Sequence, residues 1–167
     1  MVRGAAPNRS RRKFMKAVVS TKYGPPDVLE LTEVEKPVPE DDEALVKVHA
    51  ASVNPADWHL LRGEPYIARL QLGLRKPKER VLGCDVAGQI EAVGKNVSTF
   101  EPGDGVFGSP FMRGFGAFAE YVCVSEDLLA PKPATLSFEQ AAAVPLAAST
   151  ALQGLRDHGR IEAGRGS

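Results

Sequence analysis

Apolar and polar positions alternate in short stretches through most of the chain. The run Lys16–Ser20 (KAVVS) is brief and apolar and predicts a strand. Val28–Glu35 alternates, with Leu29, Leu31 and Glu33 on one face, and predicts a second strand. Between them, Tyr23-Gly24-Pro25-Pro26-Asp27 is a turn cluster. Lys36–Glu43 carries Pro37, Pro39 and the acids Glu40, Asp41, Asp42 and Glu43, and reads as a solvated loop. Ala44–Ser52 has period two: Val46, Val48 and Ala50 face one way, Lys47 and His49 the other, as in a half-buried strand. Asn54-Pro55 breaks it, and Ala56–Arg62 predicts a short helix closed by Gly63. Glu64–Arg80 reads as irregular. Asp85–Val93 predicts a strand whose Gly88 marks a bulge or a close backbone approach. Val106-Phe107 and Phe118–Ser125 predict further strands, with a glycine-rich loop over Gly108–Gly116 between them.

The pattern then changes period. Ser137-Phe138-Glu139-Gln140 fits a capping box, Ala141–Val144 continues that helix, and Pro145 ends or kinks it. Leu146–His158 predicts a second helix. Many short strands, with turns roughly every eight to twelve residues, indicate a mainly β, barrel-like core with the helices appended. Strand and helix do not alternate, so a doubly wound sheet is not encoded.

Composition narrows the function classes. The chain has 167 residues, 43% hydrophobic and 25% charged, with 21 basic and 21 acidic side chains and zero formal net charge. Such a balance creates no field favouring nucleic acid or an anionic membrane. No apolar run approaches the roughly 18 residues of a membrane span. The cysteines, Cys84 and Cys123, are too few for a disulfide framework, so a reducing, cytoplasmic setting is expected. The one biased segment is the N-terminus, with Arg3, Arg9, Arg11, Arg12 and Lys13 and no acid before Asp27. Gly4, Pro7 and Asn8 argue against the amphipathic helix of a transit peptide, so residues 1–14 are expected to be a disordered leader. The divisions expected are this leader, a β domain over 15–136 and a helical connector over 137–167.

Several stretches taken in order carry a resemblance: MKAVVSTKYGPPDVLEL, VKVHAASVNPADWHLLRG, VLGCDVAGQIEAVGKNVSTFEPGDGVFG, GFGAFAEYVCV and SFEQAAAVPLAASTALQGL. Together, from Met15 to Gly164, they resemble the N-terminal, GroES-like domain of medium-chain dehydrogenases/reductases, most closely the quinone oxidoreductase-like branch. The resemblance implies a partly open β-barrel, and an enzyme reducing quinones, enones or related carbonyl compounds by hydride transfer from NADPH or NADH. A homodimer is compatible with the complete protein. The family's Rossmann domain, a Gly-rich strand–turn–helix that holds the dinucleotide, follows this domain and is absent from the sequence. Gly108, Gly114 and Gly116 do not fit its fingerprint. The expectation is a chain that stops before the cofactor-binding half and is inactive alone. The alternative is a non-enzymatic binding or assembly module, or an inert truncated product. Either truncated form is expected to expose apolar surface on the helices from Ser137 to His158.

The resemblance also assigns positions. Zinc-dependent relatives hold zinc at places that fall here on Asn54, Cys84 and about Leu146, of which only Cys84 is a good ligand, so no metal is expected. Cys84 is then expected to be a small buried residue. Asn54 matches a polar residue near the nicotinamide, where its amide would bond a substrate carbonyl or a cofactor ribose; capping a loop before proline is the equal alternative. Asp57 matches an acidic position that orients its neighbours, or caps the short helix. His59 stands where many quinone reductases have Tyr, as a proton or hydrogen-bond donor, or as a surface histidine. Thr150 matches a hydroxyl facing the nicotinamide, or is a helix threonine bonded to the preceding turn. Trp58, Tyr66 and Phe107 are candidates for an aromatic substrate pocket, or pack the core.

Overall fold

The computed structural model describes residues 13–159. The reading of residues 1–14 as a leader thus falls almost wholly outside the described residues. Strand β1 (Phe14–Ser20) pairs antiparallel with β2 (Leu29–Glu35), Phe14 opposite Glu35 and Ser20 opposite Leu29. The elements β3 (Glu43–Ser52), α1 (Pro55–Arg62), α2 (Arg69–Leu72), β4 (Asp85–Val93), β5 (Gly105–Gly108), β6 (Tyr121–Ser125) and β7 (Leu129–Pro131) follow. Five of these strands form one antiparallel sheet in the order β6-β3-β4-β5-β7.

The two sheets meet along one seam. Val18 N–H donates to Phe118 O (2.8 Å), Glu120 N–H to Lys16 O (3.0 Å) and Ser20 N–H to Arg80 O (2.8 Å). The sheets do not close further, and the result is the partly open β structure expected. The seam also shortens one expected strand: residues 118–120 bond across to β1, and β6 proper begins only at Tyr121. The core fills the concave side, with Val46, Val86, Val106 and Val124 at its centre.

Where β3 meets β4 the register slips between Leu45 and Val46 and again between Val48 and Ala50. The second slip overturns the expected grouping of Val46, Val48 and Ala50 on one face. Ala51 packs with Val46 and Val48 in the main core, while Ala50 turns to a second cluster with Ala87, Ala141 and Ala142. An extra residue in one strand rotates every side chain beyond it to the other face. Opposite this region, a Cβ on Gly88 would lie 2.1 Å from Lys47 O, so glycine permits the close strand approach.

The second cluster holds the outer layer. α3 (Phe138–Ala142) starts at a capping box in which Ser137 Oγ accepts the Gln140 N–H (3.2 Å) and Gln140 Oε1 accepts the Ser137 N–H (2.9 Å). It seats Ala141 and Ala142 on the sheet, and His49 stacks on Phe138 with ring centroids 4.4 Å apart. Pro145 then opens a new helix, α4 (Pro145–Gln153), because its missing N–H falls where a helix has no acceptor to offer. The helix expected over Leu146–His158 is thus α4 with a wider final turn over Gly154–His158. No residue of α4 is buried, and Leu152 and Leu155 are more than half exposed. The segment Glu64–Arg80, expected to be irregular, contains a 3-10 turn (Tyr66–Ala68) and α2. The three-residue β7, which includes Pro131, had no counterpart among the expected strands. Among the described residues no helix is long and apolar enough to cross a membrane.

Candidate functional site

Ser52 and Asp85, the last residue of β3 and the first of β4, lie opposite each other in the ladder. The chain leaves β3 through Asn54, the extended N-cap of α1, with Pro55 at the first helical position. Asp57, in the first turn, completes a reciprocal capping box: its Oδ2 accepts the Asn54 N–H at 2.9 Å, and the Asn54 side chain faces the Asp57 N–H. Its other oxygen, Oδ1, accepts the Gly83 N–H (3.0 Å) and the Cys84 thiol (3.2 Å). Asp57 therefore both caps the helix and anchors it to the segment entering β4. Gly63, at φ 62°, ends the helix in the left-handed conformation that glycine adopts without strain.

Asp85 is completely buried. Three donors converge on its Oδ2: Ser52 Oγ (3.2 Å), Asn54 Nδ2 (3.2 Å) and the Leu146 N–H (3.1 Å). Its Oδ1 has no hydrogen-bond partner among the described residues. Leu146 lies in the first turn of α4, whose own N-cap, Val144, supplies no side-chain acceptor. A carboxylate from the far side of the chain thus satisfies one of the unpaired N–H groups of that helix and lies at its positive end. Desolvating a carboxylate is costly, and here converging donors and the helix dipole, not a cation, offset it.

Beside this corner a cleft of about 680 Å³ separates α4 from β5 and the loops around it. Phe107, Ser109, Phe111, Leu129, Leu146 and Thr150 line it. Thr150 Oγ1 donates to Leu146 O (2.7 Å), which leaves its lone pairs to accept from a bound molecule. Ser109 Oγ donates to Cys84 O (2.7 Å), tying the cleft wall to the corner.

The site residues expected from the sequence divide between several places. Asn54 and Asp57 sit in the corner; Thr150 and Phe107 line the cleft. His59 is exposed on α1, two positions beyond Asp57 and so turned well away from the buried face carrying Asp57 and Leu61. It lies edge-on to Trp58 (5.0 Å between centroids). Trp58 is 46% exposed, with the Arg62 guanidinium 4.8 Å above its ring. Tyr66 is 71% exposed and lines a separate small hollow of about 170 Å³ with Arg69. Phe107, Trp58 and Tyr66 are therefore not gathered into one pocket, nor do Trp58 and Tyr66 pack the core. Arg69, in the segment expected to be irregular, has a structural part: it bonds Gly63 O (3.0 Å) and Arg62 O (2.9 Å) between the rings of Tyr23 and Tyr66. Sequence reasoning weighed Asp85 only as a metal ligand without a ligand motif, and gave Ser52 no role. The available signal was an acid set inside the apolar run VLGCDVAG, at the start of a strand.

Residues 40–134 match the alcohol dehydrogenase GroES-like domain. The chain belongs to this family. Over 154 residues it is 38% identical to a quinone oxidoreductase of Pongo abelii, an alignment covering 92% of this chain and 44% of that protein. It is 40% identical over 156 residues to a 2-methylene-furan-3-one reductase of Solanum lycopersicum, covering 87% of this chain and 38% of that one. The solved quinone oxidoreductase of Coxiella burnetii superposes with a TM-score of 0.80 at 37% identity, over 90% of this chain and 47% of its own. The chain spans less than half the length of these relatives. It is a quinone oxidoreductase-like N-terminal segment of a medium-chain dehydrogenase/reductase.

Some members of this fold hold zinc, and the donors here do not fit it. A zinc site needs deprotonated thiolate or other ligands, three from the protein in a catalytic centre. Of the three corresponding positions, Leu146 supplies only backbone and Asn54 commits both amide hydrogens, to Ser52 and Asp85. Cys84 is completely buried and gives its proton to Asp57. Burial pushes its thiol pKa far up, and the hydrogen bond to Asp57 and the charges of Asp57 and Asp85 add to this. Among the described residues no group of three His, Cys, Asp or Glu side chains is placed to hold a metal ion.

Proposed function

We propose that this chain is the substrate-side domain of a zinc-independent oxidoreductase that reduces quinones, enones or related carbonyl compounds with NADPH or NADH. The observation that carries the reading is the cleft beside α4. Its lining is mostly apolar, with the hydroxyls of Ser109, Ser149 and Thr150 and a single charged side chain, Asp127. The names borne by its relatives favour the same class of substrates.

When bound, the nicotinamide supplies a hydride to the electron-poor carbon of the substrate, and a proton completes the reduction. This chain's own residues bind and orient. Thr150, its hydroxyl hydrogen directed at Leu146 O, offers an acceptor suited to a carboxamide N–H. Asn54 contributes the oxygen of its amide, since its NH2 side faces Ser52 and Asp85. Phe107, Phe111 and Leu129 present apolar surface that excludes water from the reacting atoms. The exposed His59 is proposed as a proton source only through solvent or a substrate that reaches across α1.

The test follows NADPH absorbance with the product of the natural gene at full length and a panel of quinones and enones. Acceleration by at least one class is expected, unaffected by chelators. A panel that never exceeds the uncatalysed rate overturns the reading and favours a non-enzymatic module.

A further inference from the structure

We infer that Asp85 is the positioning residue of this site. Its carboxylate fixes which way round the Asn54 amide stands and ties that amide to the first turn of α4. Asn54 therefore meets a bound molecule as a hydrogen-bond acceptor, selecting a ligand hydroxyl or N–H over a ligand carbonyl. The part concerning a ligand rests on the reading above, that Asn54 and α4 flank cofactor and substrate.

Three observations lead there. Asn54 Nδ2 donates to both Ser52 Oγ (3.0 Å) and Asp85 Oδ2 (3.2 Å), so the NH2 side of the amide faces this pair. Ser52 Oγ gives its own hydrogen to the same Asp85 oxygen (3.2 Å), so only its lone pairs face Asn54. Turning the amide over would set its oxygen against Asp85 Oδ2, an oxygen that already receives three donors and has none to give. Asp85 thus fixes the orientation from the NH2 side, as the Asp57 N–H does from the oxygen side. A neutral residue of the same shape would weaken the restriction.

The third donor makes the arrangement reach further. The Leu146 N–H, 61 residues away, shares the oxygen that holds Asn54. Thr150, one turn along α4, in turn bonds Leu146 O. Asn54 and Thr150, on two separate elements, are thus linked through one buried carboxylate.

The decisive measurement begins with the unaltered chain. In its 15N spectrum the Asn54 side-chain NH2 should exchange with solvent at least about tenfold more slowly than an exposed asparagine amide, as expected for hydrogen-bonded protons. An Asn54 NH2 with the shift and exchange of a free amide overturns the inference without any variant. Asp85→Asn should release those protons and perturb the Leu146 N–H in the same spectrum. In the full-length enzyme, Asp85→Asn and Asn54→Ala should each raise KM for NADPH by about tenfold, the loss typical of one hydrogen bond. Changes in kcat should be smaller, and the double variant should be no worse than Asn54→Ala alone. Additive losses mean that Asp85 acts independently of Asn54, and the inference fails. If Asp85→Asn does not fold, Ser52→Ala, which opens one side of the triangle, takes its place with the same expected non-additivity. A wild-type enzyme without activity refutes the proposed function, while the NH2 measurement still decides the positioning.

Discussion

Asp57→Asn changes one buried side chain by a single atom and has a definable cost. In the native protein Oδ1 holds the Gly83 N–H and the Cys84 thiol, and Oδ2 holds the Asn54 N–H. Asparagine supplies one oxygen and one NH2 group. If its oxygen stays on Asn54, the NH2 faces Gly83; if it stays on Gly83, the NH2 faces Asn54. Either way one backbone N–H loses its acceptor at a residue only 4% exposed. An unmet buried donor costs about 1–3 kcal/mol. Losing a negative charge from the first turn of α1 adds roughly 0.3–1 kcal/mol. The expected destabilisation is therefore about 1.3–4 kcal/mol. For a chain of this size that lowers Tm by roughly 3–16 °C. Urea unfolding followed by circular dichroism should give this difference with an unchanged m-value. Asp57→Ala should cost more, because both backbone donors lose their acceptor. A loss below about 0.5 kcal/mol, the range of ordinary surface substitutions, would refute the account of Asp57 as an anchor. The same variant separates two causes at Cys84. Burial outranks Asp57 in raising its thiol pKa, so the thiol should stay slow to alkylate at neutral pH in folded Asp57→Asn.

Gly88→Ala should cost about 1–3 kcal/mol or more in the same unfolding assay, because the new Cβ meets Lys47 O at 2.1 Å and backbone in the middle of a sheet yields poorly; near-neutral stability would mean that β3 and β4 separate easily. Both thiols are held protonated: Cys84 far above its ordinary value, and Cys123 up to about 12 through burial and the charges of Glu43 and Glu40. Disulfide-exchange reagents at pH 8 should react slowly with the folded chain and quickly in urea. The unfolded thiols release protons near pH 9 while the folded ones keep theirs, so stability from this source is full below that value and falls as pH rises from about 9 towards 12. Cys123→Ala should flatten the decline, and an unchanged slope would contradict the assignment.

The strands were legible because their chemistry is local. KAVVS, ALVKVHAAS and DVAGQIEAV each carry their period within about ten residues, and Gly88 announced the close approach that the ladder needs. The capping box at Ser137 was equally local, and its bonds form as the spacing implied. The bulge between Val48 and Ala50 left no such mark. It arises from matching β3 to β4 across a long connection, and it moved Ala50 out of the main core and Ala51 into it. β7 was invisible because three residues hold no period, and Pro131 argues against a strand unless the strand lies at an edge, where it does lie.

The corner escaped for a different physical reason. A residue's type shows what it can donate or accept; only the fold shows what has already been taken. Asn54 offers two hydrogens and an oxygen in the sequence, and the choice between substrate carbonyl and ribose hydroxyl stands open there. In the fold the NH2 group faces Ser52 and Asp85, and the oxygen, on the side of the Asp57 N–H, keeps a lone pair to offer. Thr150 follows the same logic, since the bond to Leu146 O removes its donor and makes it an acceptor. The surroundings of Asp85 are fixed by partners 33, 31 and 61 positions away, none of which a local pattern can reach. An acid alone among apolar neighbours at the head of a strand was the one advance sign that donors had to converge there. Once they do, one carboxylate joins Ser52, Asn54 and the first turn of α4 in a single hydrogen-bonded corner.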